Sequence, residues 1–235
     1  MSSTDDELFE PGSTFWTRTL YKFAWLVVVF PLKLWTRTTV SGRENLPTDG
    51  PFIVCPNHRS YLDTPYAAMV HGWHRMRYMG KHTMFKVGWL RPLFFALGAF
   101  PVNRGKADRE ALKRAIQILD AGEALVLFPE GERKSGPTVL PLFEGAMFVA
   151  AKANVPMVPV GIAGSERVMP KGTNFIYPRK VHIEIGPPIP PPSAPDGKRV
   201  PREAYAEQTD VLHAEMQRVF DLAMERVGWS YPITE

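Results

Sequence analysis

The residues best suited to chemistry lie in Cys55-Pro56-Asn57-His58-Arg59-Ser60-Tyr61-Leu62-Asp63, a polar stretch that follows the apolar Pro51–Val54. His58 and Asp63 are five residues apart, and Thr64-Pro65 come next. Proline suits a first helical turn, so Asp63 reads as an N-cap for a helix running to about His71. A carboxylate at a helix start can also face back into the loop and accept from one imidazole nitrogen. That contact fixes the tautomer and raises basicity, as a general base requires. No partner nucleophile is apparent. The G-x-S-x-G elbow is absent, and Cys55, at the end of an apolar run, reads as core. A histidine–aspartate pair with nothing of its own to activate suits a nucleophile carried by the substrate, such as a hydroxyl.

Two further stretches could bind an anion. "GAFPVNRG" (98–105) ends an apolar run on Arg104, and "FPEGERKSG" (128–136) opens onto Glu130, Gly131, Glu132, Arg133 and Lys134. Arg133 is three residues from Glu130, so a local ion pair worth ~0–1 kcal/mol is the plain reading. The sharper one has Arg104 and Arg133 converging on phosphate, with Gly131 and Gly136 admitting backbone N–H groups. The Gly-Lys-Ser/Thr ending of a Walker loop is missing.

These stretches need elements to position them. Strand candidates are 38–42, 51–55, 77–79, 99–102, 124–128, 157–162 and 180–185, with helix candidates between most of them. In the helix expected over 108–121, Leu112, Ala115, Ile116 and Leu119 recur at helical spacing, with Asp108 as cap and Gly122 as stop. A last helix over about 202–227 carries Leu212, Met216, Val219, Phe220 and Ala223. Alternating strands and helices predict an α/β fold: one layered domain with a mixed, partly parallel sheet flanked by helices. Ligands of such sheets bind beyond the carboxyl ends of strands, where all three polar stretches fall. The proline-rich 186–195 reads as an extended spacer.

The chain has 235 residues, 45% apolar and 22% charged, enough for one full core. A single cysteine excludes an intramolecular disulfide framework. The acidic first ten residues do not form a secretory signal. The net charge of +4 favours an anionic partner. Its cations are scattered and no aromatic–basic motif appears, which argues against nucleic acid.

From Ser13 to Arg43 there is no acidic residue, while Arg18, Lys22, Lys33, Arg37 and Arg43 flank "FAWLVVVFPLKLW" (23–35). The uncharged run of ten residues, 23–32, interrupted by Pro31, is short of the ~20 needed to span a bilayer. It reads as an interfacial amphipathic helix on an anionic leaflet, or as a helix packed on the domain's own core. The division expected is 1–37, an N-terminal tail with a membrane-associating helical segment, and 38–235, the main domain.

Together, "NHRSYLD", "GAFPVNRG", "FPEGERKSG" and "VPMVPVGIAG" resemble, in order and separation, the four motif blocks of the glycerolipid acyltransferase family. The likeness is greatest to 1-acylglycerol-3-phosphate acyltransferases and covers roughly residues 38–190. The resemblance implies transfer of an acyl chain from an acyl thioester (acyl-CoA or acyl-carrier protein) to a lipid acceptor, forming phosphatidic acid. No cofactor and no metal are implied; the positive charge of the N-terminal segment makes the expected setting the cytoplasmic face of the cell membrane, peripheral or monotopic. His58 and Asp63 correspond to the catalytic pair, and Lys81, Arg104, Glu130, Gly131 and Arg133 to the glycerol-phosphate contacts. Glu132 and Lys134 depart from the block's usual Thr and Ser, which leaves the headgroup open: glycerol 3-phosphate, a lysophospholipid or a glycolipid are alternatives. A non-catalytic lipid-binding protein is the rival from another class.

Overall fold

The computed structural model describes residues 14–86, 88, 91–102, 108–193 and 200–229. Its centre is a seven-stranded sheet of order β1-β7-β6-β2-β5-β3-β4. The strands are β1 (Thr39–Ser41), β2 (Ile53–Pro56), β3 (Met76–Lys81), β4 (Ala99–Val102), β5 (Ala124–Val126), β6 (Met157–Ala163) and β7 (His182–Ile185). All neighbours run parallel except β6 and β7. Each of the seven expected strands is present, and the sheet is the mixed, mostly parallel one that alternating elements predict.

The helices are α1 (Phe15–Ala24), α2 (Phe30–Trp35), α3 (Asp63–Ala67), α4 (Arg91–Ala96), α5 (Arg109–Asp120), α6 (Gly145–Ala153), α7 (Ser165–Val168) and α8 (Arg202–Val227). Because side chains alternate across a strand, Ile53 and Cys55 face one layer while Phe52 and Val54 face the other. The first layer is built by α5, α6 and α8 through Ala115, Ile118, Val149, Met216 and Phe220. The second is built by α1, α2 and the 66–70 segment. α5 starts where its cap signal places it, with the Asp108 side chain accepting from the Ala111 N–H at 3.0 Å. α8 lies directly on β6: a Cβ added at Gly161 would come within 2.3 Å of the Val219 carbonyl oxygen.

Pro31 does not interrupt the N-terminal helix. Between α1 and α2 the chain winds one π-helical segment, Trp25–Val29, and Phe30 N–H bonds to the Trp25 carbonyl. Pro31 then falls in the first turn of α2, where a missing donor and a fixed φ are tolerated. This helix has two apolar faces. Tyr21, Trp25, Val29 and Leu32 are buried against the sheet, while Trp16, Phe23, Leu26, Val27 and Leu34 are exposed. Among the described residues no helix is long and apolar enough to cross a membrane. The expected spacer is also more than a spacer. Ile189 exchanges backbone hydrogen bonds with Met157 at 2.7 and 2.9 Å, and the Pro190 carbonyl accepts from Gln208.

Candidate active site

β2 and β5 are parallel neighbours, so the loops leaving their carboxyl ends meet. The β2 loop carries Asn57 to Asp63 and the β5 loop carries Phe128 to Gly136. Asn57 fixes the first of them. Its side chain donates to the Ile162 carbonyl at 3.1 Å and accepts from the Ile162 N–H at 2.7 Å, so it continues the ladder to β6 past the strand's end.

His58 Nδ1 lies 2.9 Å from Asp63 Oδ2. The same oxygen accepts from the backbone N–H groups of Arg59 at 2.5 Å and Ser60 at 2.6 Å. Asp63 is therefore not an N-cap. It is the first residue of α3, whose cap position is Leu62 with no side-chain bond, and its carboxylate turns back into the loop. α3 is only five residues long, shorter than a helix to His71. A carboxylate at Nδ1 favours the tautomer with its proton there, which presents the Nε2 lone pair outward. Among the described residues no protein group bonds to Nε2. The imidazole stacks on Phe128 at 4.2 Å between ring centroids, and is 5% exposed. Cys55 is fully buried, and burial pushes its thiol well up, so it offers no thiolate.

Glu130 is expected to pair locally with Arg133 or to contact the phosphate; in the structure its charge partner is Arg59. Its carboxylate is buried and meets the guanidinium of Arg59, whose Nη1 donates to both oxygens at 2.8 and 3.0 Å. It also accepts from the backbone N–H groups of His58 at 3.0 Å and Leu140 at 3.1 Å. The rest of the Arg59 fork donates to the carbonyls of Gly136 and Thr138. Lys134 N–H donates to the His58 carbonyl at 2.8 Å. One ion pair thus ties the two loops together beneath the imidazole.

Arg133 is half-buried and lies over the exposed Tyr61 ring, 3.4 Å from its centroid. Such a stack orients a guanidinium without consuming its N–H donors. Gly131 has φ +72, and a Cβ there would meet the Phe143 ring at 2.6 Å, so the turn requires glycine. Glu132 and Lys134 form an exposed ion pair at 2.6 Å, and the extra carboxylate is offset by the extra ammonium. Lys81 is exposed at the carboxyl end of β3, beside β5. Arg104, beyond the end of β4, lies outside the described residues. A cavity of about 420 Å³ opens at the opposite end of the sheet, lined by Arg18, His71, Arg75 and Glu123 among others, and has no part in this arrangement.

Sequence reasoning singles out His58, Asp63 and Arg133, of which the structure brings His58 and Asp63 into contact, and gives no role to Arg59, Asn57, Tyr61 or Phe128. The one available signal was charge: Arg59 and Glu130 each sit inside a polar block, 71 residues apart, with no periodicity to pair them.

Fold and site define an α/β sandwich with a buried histidine–aspartate dyad at the carboxyl edge of its sheet and an arginine beside it. The chain belongs to the acyltransferase family, whose model matches residues 37–163. It is similar to a 1-acyl-sn-glycerol-3-phosphate acyltransferase of Bacillus subtilis, 28% identical over 204 residues, which are 86% of this chain and 96% of the relative. It is also similar to the chloroplastic enzyme of that name, BAT2, of Brassica napus, 31% identical over 161 residues, or 63% of this chain. The chain spans under half the length of that relative, 45%. The crystal structure of PlsC, the 1-acyl-sn-glycerophosphate (LPA) acyltransferase of Thermotoga maritima, shares the fold. Its TM-score is 0.61 at 24% identity, over 92% of this chain and 97% of that one.

Proposed function

We propose that the protein transfers a fatty acyl chain from an acyl thioester to the free hydroxyl of 1-acylglycerol 3-phosphate, producing phosphatidic acid for phospholipid synthesis. The observation that carries this reading is the 2.9 Å contact of His58 Nδ1 with Asp63. It leaves Nε2, with no protein partner among the described residues, as an acceptor at a site that also holds the half-buried Arg133. Asp63 holds the Nδ1–H tautomer, and Nε2 takes the proton of the acceptor hydroxyl as its oxygen attacks the thioester carbon. The tetrahedral intermediate collapses by breaking the C–S bond. A thiol with pKa near ~8.5 departs as thiolate without a strong acid, and the imidazolium then returns its proton to solvent or thiolate. No acyl-enzyme forms: among the described residues no serine or cysteine side chain is hydrogen-bonded to His58.

Arg133, held on Tyr61, binds the acceptor phosphate, with Lys81 and the Gly131 backbone contributing to the same group; the resemblance gives Arg104 that role as well. Glu130 acts through Arg59 and His58, by fixing their loop. The exposed apolar face of α1 and α2, flanked by Arg18, Lys22, Lys33 and Arg37, rests on an anionic membrane surface from the cytoplasmic side. The donor is acyl-CoA or acyl-carrier protein. Thiol release is the test, measured with a matched acyl thioester against 1-acylglycerol 3-phosphate, glycerol 3-phosphate, a neutral monoacylglycerol and a lysophospholipid. The reading expects the first to be preferred, and equal turnover on the neutral acceptor would remove the phosphate from it.

A further inference from the structure

We infer that the loop between α7 and β7, residues 169–181, is a second lipid-contacting element, which sets the active-site end of the sheet against the bilayer. This rests on the lipid-surface reading above and adds an element that sequence patterning did not suggest. The strand registers give the placement. Pro56, which feeds His58, pairs with Val160, so the carboxyl end of β6 lies at the dyad's end of the sheet. Ala163, at that end, pairs with His182, the first residue of β7, and His182 pairs with Thr39, the first residue of β1. The loop before β7 and the end of α2 before β1 therefore both emerge on the dyad's side.

They are joined there. Trp35 Nε1 donates to the Ile176 carbonyl at 3.0 Å and an Arg37 Nη donates to the Pro178 carbonyl at 3.2 Å, each across 141 residues. The join makes one exposed apolar surface out of two. Trp35 is 53% exposed, Phe175 59%, and Tyr177, packed edge-on to Phe175 at 4.7 Å, 39%. A loop has no structural need to present Phe-Ile-Tyr to water, and the stretch Asn174–Lys180 is exposed throughout.

Charge selects the occupant. Neither contributing segment, 14–43 nor 167–183, contains a carboxylate, and Lys171, Arg179 and Lys180 flank the aromatics as Lys33 and Arg37 flank Trp35. Aromatic rings between cations, with no acidic residue, match an anionic bilayer surface: the rings enter the acyl boundary while the cations meet headgroups. A second copy of the chain would present the same cations to one another, which like-charge repulsion disfavours.

The buried Cys55 permits a site-specific probe. Phe175→Cys in the full chain, labelled with an environment-sensitive fluorophore, is mixed with vesicles of phosphatidylglycerol and phosphatidylcholine. A blue-shifted emission is expected, growing with the anionic fraction and weakened by salt. An unshifted emission, while the protein sediments with the vesicles through its N-terminal helix, overturns the inference and leaves the earlier reading standing. Failure of the wild-type chain to sediment at all removes both. The pair Phe175→Asp and Tyr177→Asp, combined, is expected to weaken vesicle partitioning at least about tenfold, with the same thermal midpoint and the same turnover of a short-chain monomeric acceptor. Unchanged partitioning, or a change in oligomeric state in its place, overturns the proposal.

Discussion

The Arg59 guanidinium and the Glu130 carboxylate, 71 residues apart in the chain, meet at 2.8 Å with both side chains almost wholly out of solvent. Glu130 also accepts the His58 N–H, so the ion pair holds the backbone of the histidine that Asp63 orients from its side chain. Removing one member leaves a buried charge without its partner, a loss of about 3–5 kcal/mol. Glu130→Gln and Arg59→Met are each expected to lower stability by that order in urea denaturation. The double variant Arg59→Met/Glu130→Met should cost less than the sum. Strict additivity would show that the pair does not act as a unit.

His58→Ala is expected to reduce kcat by at least ~10²-fold, the scale on which a positioned base acts. Asp63→Asn retains an oxygen for the Arg59 and Ser60 N–H groups but cannot favour the Nδ1–H tautomer in the same way, so it should lower kcat with little effect on KM. Turnover near the wild-type rate in the His58 variant would end the general-base assignment.

Arg133→Ala should weaken a phosphate-bearing acceptor by roughly 1.5–3 kcal/mol, the value of a hydrogen bond to a charged group. The comparison is kcat/KM on 1-acylglycerol 3-phosphate against a neutral monoacylglycerol. A loss of the same size on both would show that Arg133 supports Tyr61 and the loop, and does not bind phosphate.

Gly161→Ala tests the packing of α8 on β6. The added Cβ would collide with the Val219 carbonyl and the Phe220 nitrogen, both backbone atoms that move only with the helix. A destabilisation of about 1–3 kcal/mol or more is expected from overpacking of this kind. A denaturation midpoint equal to that of the wild type would contradict the close approach.

His71 gives stability an acid limb. Burial first, and then the neighbouring His74, push its pKa down to about 4. The folded state thus keeps His71 neutral where the unfolded chain, with an ordinary value near ~6.5, takes up a proton. Stability should fall as pH drops from about 6.5 towards 4, because the unfolded state binds more protons across that window. Replacing His71 by Gln should flatten that part of the stability–pH curve, and an unchanged slope would assign it to other groups.

The strands, α5 and α8 were legible in the sequence because each is specified locally, by an apolar run, a helical stripe, a cap at Asp108 or a stop at Gly122. The dyad was legible for a related reason, since His58 and Asp63 share one loop and need only that loop to turn back. α3 was misjudged because the carboxylate that looked like a helix cap has nearer backbone donors in Arg59 and Ser60. Pro31 misled because its local rule depends on where a helical turn begins, and the π-helical segment moves that point.

What the sequence determined by itself was therefore a partial inventory: the seven strands, the two helices α5 and α8, which blocks carry polar groups, and through them the family. What only the tertiary structure decided was partnership between distant residues. Arg59 with Glu130, Trp35 with Ile176 and Arg133 over Tyr61 depend on which strands lie side by side and which end of each faces the site. Strand order is fixed by burial on both faces of the sheet at once, a sum over the whole core that no local pattern encodes.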